Sequence, residues 1–93
     1  MQTIRLQPHY AEAYSDLGQI YYDRKEYDKA IYYFKKFIQL NPNDANIYYN
    51  LGDVYIGKGD KENVLKQIIK LEELKRNDLV NSLKQEIDLI IEK

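Results

Sequence analysis

The stretch Tyr14 to Tyr21 reads YSDLGQIY, and the stretch Tyr48 to Tyr55 reads YYNLGDVY, an offset of 34 residues. In a chain of 93 residues this duplication commits most of the length to two copies of one unit. A unit of that period is one supersecondary element that cannot bury its apolar face alone, so the copies must stack or be capped. Laid over one another, 11–44 and 45–78 share Ala11/Ala45, Tyr14/Tyr48, Leu17/Leu51, Gly18/Gly52, Tyr21/Tyr55, Lys36/Lys70, Asn43/Asn77 and Asp44/Asp78. Chemistry is kept at Ile20/Val54, Asp28/Glu62, Ala30/Val64, Ile31/Leu65, Phe34/Ile68, Phe37/Leu71 and Leu40/Leu74.

Inside each copy the apolar residues recur at intervals of three and four, the helical period. Breaks fall at Arg24–Glu26, Asn41–Asp44, Gly57–Asp60 and Arg76–Asp78, where Gly, Pro, Asn, Asp and charged residues gather. The spacing predicts five helices, at 10–23, 27–40, 44–57, 61–75 and 78–92.

Tyr14-x2-Leu17-Gly18-x2-Tyr21, then Ala30-x3-Phe34, then Pro42, resembles the tetratricopeptide repeat signature, with Tyr14 at a position often held by Trp. The second copy follows as Tyr48-x2-Leu51-Gly52-x2-Tyr55 with Val64 and Ile68, and departs only at its end, where Arg76 replaces the proline. Ile4, Leu6 and Pro8 match Ile38, Leu40 and Pro42, so residues 1–8 look like the tail of a preceding repeat. The resemblance implies an all-α fold, a right-handed α-solenoid of antiparallel helix hairpins. It would hold two full repeats, 11–44 and 45–78, and a C-terminal capping helix over 78–92.

Gly18 and Gly52 fall in mid-helix, where Gly costs about 0.5–1 kcal/mol relative to Ala, so a close helix approach is expected at each. Ala30 is the expected small residue facing Gly18, with Tyr14, Leu17, Tyr21, Tyr27, Ile31 and Phe34 filling the seam. Asn43 and Asp44 follow the helix-stopping Pro42 and are placed to cap the next helix. In 78–92, Leu79, Val80, Leu83, Ile87, Ile90 and Ile91 make one apolar stripe opposite Asn81, Lys84, Gln85, Asp88 and Glu92, as a lid requires.

Fourteen basic and fifteen acidic residues leave a net charge of −1, so the chain has no global footprint for nucleic acid or an anionic membrane. There is no cysteine, and His9 is the only histidine, read as a turn residue before the first helix. Ser15, Ser82 and Thr3 are the only hydroxyls beside the tyrosines. No nucleophile, base and orienting group can be assembled from this set, and no enzyme, cofactor or metal is expected. Gly57-Lys58-Gly59-Asp60 lacks the earlier glycines of a phosphate loop and reads as an interhelix turn. MQTIRLQP has no apolar leader core and no run nears the ~18 apolar residues of a membrane span, so a cytoplasmic protein is expected.

In the family it resembles, the first helix of each repeat lines a concave groove. That implies a peptide-binding face of Glu12, Ser15, Asp16, Gln19, Tyr22 and Asp23 from the first repeat. The second would add Asn46, Tyr49, Asn50, Asp53, Ile56 and Gly57. Four acids and no base stand on it, while residues 24–40 carry Arg24, Lys25, Lys29, Lys35 and Lys36 against Glu26 and Asp28. The expected partner is a protein segment that is basic and carries an apolar anchor. Some members hold a chaperone's carboxylate tail with Lys, Asn, Asn, Lys and Arg, positions that fall here on Ser15, Gln19, Asn50, Val80 and Lys84. Only Asn50 matches, so that ligand is not expected. A pentatricopeptide-like RNA binder is disfavoured by the Leu-Gly pair, Pro42 and the absence of a basic inner face. The alternative to peptide binding is a self-assembly unit from a longer array, pairing through the N-terminal end around Ala13, Leu17 and Ile20.

Overall fold

A computed structural model of the protein describes the backbone of residues 6–91 and the side chains of residues 10–88. Five helices run in order: α1 (Leu6–Asp23), α2 (Tyr27–Leu40), α3 (Ala45–Lys58), α4 (Lys61–Glu73) and α5 (Asn77–Ile91). There is no strand among the described residues. The chain divides into two units: Met1–Asp44, which holds the α1–α2 hairpin, and Ala45–Lys93, in which α5 packs on both α3 and α4.

In the first unit, α2 buries Ala30, Phe34 and Phe37 at intervals of four and three. The matching positions of α4, Val64, Ile68 and Leu71, are buried in the second. The duplication therefore preserves the buried stripe residue for residue. Removing a side chain such as Phe34 from water contributes roughly 1.5–3 kcal/mol, and only 1% of it remains exposed. Along the same hairpin, the Tyr33 ring lies between Tyr14 and Tyr21, with centroids 6.2 and 5.6 Å away. The periodicity did not place Tyr33 in the seam, because it stands one position off the Ala30–Phe34–Phe37 stripe.

Both mid-helix glycines sit at close approaches. A Cβ on Gly18 would lie 2.5 Å from Phe34 Cε1, so the aromatic ring, expected in the seam, fills the space that the glycine leaves. On Gly52 it would lie 2.6 Å from Leu83 Cδ1, a contact supplied by α5. Leu83 is buried together with Val80 and Ile87, so α5 closes the second unit as the expected lid.

Three of the four breaks end a helix by one device. At the α1 terminus the Lys25 N–H donates to the Tyr22 carbonyl at 2.9 Å and the Glu26 N–H to the Tyr21 carbonyl at 2.8 Å. Gly59 to Ile56 with Asp60 to Tyr55, and Lys75 to Glu72 with Arg76 to Leu71, repeat the pattern after α3 and α4. Each is a Schellman motif, which places one residue in the left-handed region: Lys25 at φ 62°, Gly59 at 75° and Lys75 at 61°. Asp60 then caps α4 by accepting from the Asn63 backbone N–H at 3.2 Å. The Asn63 side chain adds a 2.8 Å bond, and these two bonds hold the Asp60 carboxyl below its ordinary range.

Both ends of α3 and the end of α4 differ by one or two residues from those expected, α5 is described to Ile91, and two helix starts differ as well. Helix α1 begins at Leu6, so Pro8 and His9 lie within it rather than before it; proline fits there because first-turn N–H groups have no intrahelical acceptor. Residues 1–5 of the expected remnant lie outside the described residues. Helix α5 starts at Asn77, which brings the Asn77–Asp78 pair into its first turn. Arg76 reaches forward to Asp78 through two bonds of 3.1 Å.

Gly18→Ala gains about 1 kcal/mol of helix propensity but drives Cβ into a buried ring, and overpacking of this kind costs typically ~1–3 kcal/mol. Net destabilisation is expected, larger than for Gly52→Ala, whose neighbour is the flexible end of a leucine. Chemical denaturation of both, with Phe34→Leu added to relieve Gly18→Ala, checks the order; equal tolerance at the two glycines would remove the explanation.

At the turns, Lys25→Gly relieves a left-handed cost of roughly 1–2 kcal/mol and gives back part of it as unfolded-state entropy. A gain of about 0.5–1 kcal/mol is expected. Gly59→Lys, which meets no atom within 4 Å, should lose about as much by the same measurement.

Candidate protein-interaction surface

The first-unit candidates occupy one side of α1. Glu12, Asp16, Gln19 and Asp23 form an exposed column at spacings of four, three and four. Within it, Gln19 Nε2 donates to Asp23 Oδ1 at 3.1 Å, which orients that carboxylate. Ser15 is half-buried and turns its hydroxyl back to the Glu12 carbonyl at 3.0 Å, so it belongs to the helix more than to the surface. Tyr22 is half-buried with its ring 6.1 Å from that of Tyr27. Three exposed carboxylates with no Lys or Arg between Leu6 and Asp23 make this helix face negative.

In the second unit, Asn46, Tyr49, Asn50, Asp53 and Ile56 follow one another along α3 at spacings of three, one, three and three. Asn46 and Gly57 are exposed and the others half-buried. Here α5 adds a residue that sequence reasoning missed. The Tyr49 hydroxyl donates to Glu86 Oε2 at 3.1 Å, and Asp53 hydrogen-bonds to the same carboxyl group. Burial first, then that hydrogen bond and the neighbouring Glu86 charge, push the Asp53 carboxyl from 3.8 up to about 8. At neutral pH Asp53 therefore holds a proton and donates it to Glu86.

One of the four acids expected on this surface, Asp53, is raised out of the ordinary carboxylate range. Asp53 is neutral at pH 7, and the negative charge on this part of the surface belongs to a Tyr49–Glu86–Asp53 cluster rather than to a lone aspartate. A signal for Glu86 existed: it falls three residues after Leu83 and seven after Leu79, a polar residue in apolar register. Of the positions that would form a carboxylate clamp, Val80 is buried in the core and Lys84 lies 3.9 Å from Glu72.

Family models match along most of these helices. One described as TPR repeat covers residues 18–59, and one described as Tetratricopeptide repeat covers residues 45–78. The second match coincides with the 45–78 copy read from the duplication. With the signature in register, five helices and glycines at the helix contacts, the chain belongs to the tetratricopeptide repeat family. Repeats of this family generally mediate protein–protein interaction and are generally non-catalytic. No curated protein matches the chain. Among the described residues no helix is long and apolar enough to cross a membrane.

The cluster has a consequence for stability. An unfolded chain releases the Asp53 proton near 3.8, the folded one near 8, so between those values the folded chain binds the extra proton. The contribution is fully present below 3.8 and is lost as pH rises through about 8. Solvent screens part of it, since the side chain is half-buried. Stability should fall as pH rises across this window, and Asp53→Asn should flatten that part of the slope. Denaturation at stepped pH checks it; an unchanged slope in the variant would separate the effect from Asp53.

Proposed function

We propose that the chain is a non-catalytic module that binds partner-protein segments, with separate candidate contact faces on α1 in the first unit and on α3 in the second. The α1 face suits a segment that carries Lys or Arg to meet Glu12, Asp16 and Asp23, and the α3 face suits an apolar or aromatic residue beside Tyr49, Asn50 and Ile56. The observation that carries this reading is the unequal charge of the two faces. On α1 the carboxylates are exposed and no Lys or Arg accompanies them, whereas on α3 the carboxyl of the one aspartate is raised within a hydrogen-bonded cluster. Exposed charge steers encounter and sets orientation, while half-buried aromatic and aliphatic groups slow dissociation.

Titration of basic, neutral and acidic peptides, each with one aromatic residue, tests the reading. The basic peptide should bind best, with affinity falling as salt shortens the screening length to about 8 Å at physiological ionic strength. Asp16→Lys with Asp23→Lys should slow association, and Ile56→Ala should speed dissociation. Asp53→Asn should leave basic-peptide affinity at pH 7 unchanged, since that group is already uncharged. Preference for acidic carboxylate tails would overturn the proposal.

A further inference from the structure

One face of α1 differs between the two copies of the repeat. Tyr10, Ala13, Leu17 and Ile20 follow at spacings of three, four and three, so they stand in one column along the helix. Tyr10 is 52% and Ile20 48% exposed, Ala13 is exposed and Leu17 half-buried. At the matching α3 positions, Ile47 is 2% and Val54 0% exposed, and Leu51 is buried as well. The same register positions are thus core in one copy and surface in the other. Beside the α1 column runs the negative one, Glu12, Asp16 and Asp23.

A complementary face stands on α2. Lys29, Tyr32, Lys36 and Leu40 fall at spacings of three, four and four, with Tyr32 55% and Leu40 40% exposed. The Lys36 ammonium lies 5.4 Å from the Tyr32 ring centre, which keeps aromatic surface and positive charge together. Residues 24–40 hold five bases against two acids. Two α1 faces would set acids against acids, whereas α1 against α2 pairs acids with lysines and Ile20 with Tyr32. We infer that the occupant of the α1 face is a second copy of this chain, docked head to tail through its α2 face.

Such a contact is heterologous, so association need not stop at two copies unless the rotation closes a ring. One helix face on another lies at the small end of specific interfaces, and the association is weak. The contact shares Glu12, Asp16 and Asp23 with the proposed peptide face, and substitutions at Ile20 and Tyr32, which spare those acids, separate self-association from peptide binding.

Sedimentation velocity across a wide concentration range should show the weight-average coefficient rising without a plateau at the dimer. Ile20→Glu removes the α1 face and Tyr32→Glu the α2 face, both at exposed positions where circular dichroism should match the unsubstituted chain. Each variant alone should stay monomeric. Mixed, they should give a 1:1 complex that grows no further, because each still offers the face the other lacks. A chain that is monomeric at every concentration would overturn the inference, as would dimers of Tyr32→Glu alone, which would mean α1 pairs with α1.

Discussion

Two absent side chains decide how close the helices of this protein come. At Gly18 the Phe34 ring takes the volume a Cβ would fill, and at Gly52 the Leu83 methyls do. The energetic logic is an exchange: each glycine gives up helix propensity of about 1 kcal/mol, and each contact seats a large side chain that is fully out of water. The two sites use different partners, however. In the first unit the second helix of the same hairpin enters the gap, and in the second unit the capping helix does. One sequence device thus serves a hairpin in one copy and a lid in the other, and the position of every other buried residue follows from those depths of approach.

Placing α5 against α3 also creates the feature that sets the surface chemistry of the second unit. Glu86 arrives beside Asp53 because Leu83, one turn earlier on α5, is held at Gly52. Two carboxyl groups this close are compatible with burial only if they share a proton, and the Tyr49 hydroxyl completes the arrangement. Packing at a glycine, charge at an aspartate and the polarity of an interaction face therefore form one causal chain. Among the described residues the first unit has no equivalent, and its α1 carboxylates remain exposed.

Much of this was legible in the amino acids. The 34-residue offset placed the hairpins, and the three-four spacing placed Ala30 and Phe34 in the seam, where both are buried, whereas Tyr14, Leu17, Tyr21, Tyr27 and Ile31 are half-buried. The turn residues marked three helix ends, although Lys25 and Lys75 occupy the left-handed position that glycine usually marks. What escaped were matters of side-chain reach. That the Phe34 ring would lie so close against Gly18 depends on the direction of a side chain, and that the Asp53 carboxyl would be raised depends on Glu86, which a linear projection of α3 does not include. Pro8 misled for a different reason: a proline reads as a stop in the last turn of a helix and as a permitted residue in the first, and local composition does not separate the two.

The tyrosine pile in the first hairpin has a further consequence. Tyr33 lies 7° from parallel with Tyr21 and 23° from parallel with Tyr14, while the chain has ten tyrosines and no tryptophan to mask them. Rings held this near and this parallel couple their electronic transitions, and the coupling vanishes when the helices separate. In the second unit the counterpart Tyr48 lies instead under the Lys70 ammonium, 5.6 Å from its ring centre. Near-ultraviolet optical activity should therefore be dominated by the α1–α2 hairpin, so the molecule carries a built-in optical reporter of whether that one pair of helices is closed.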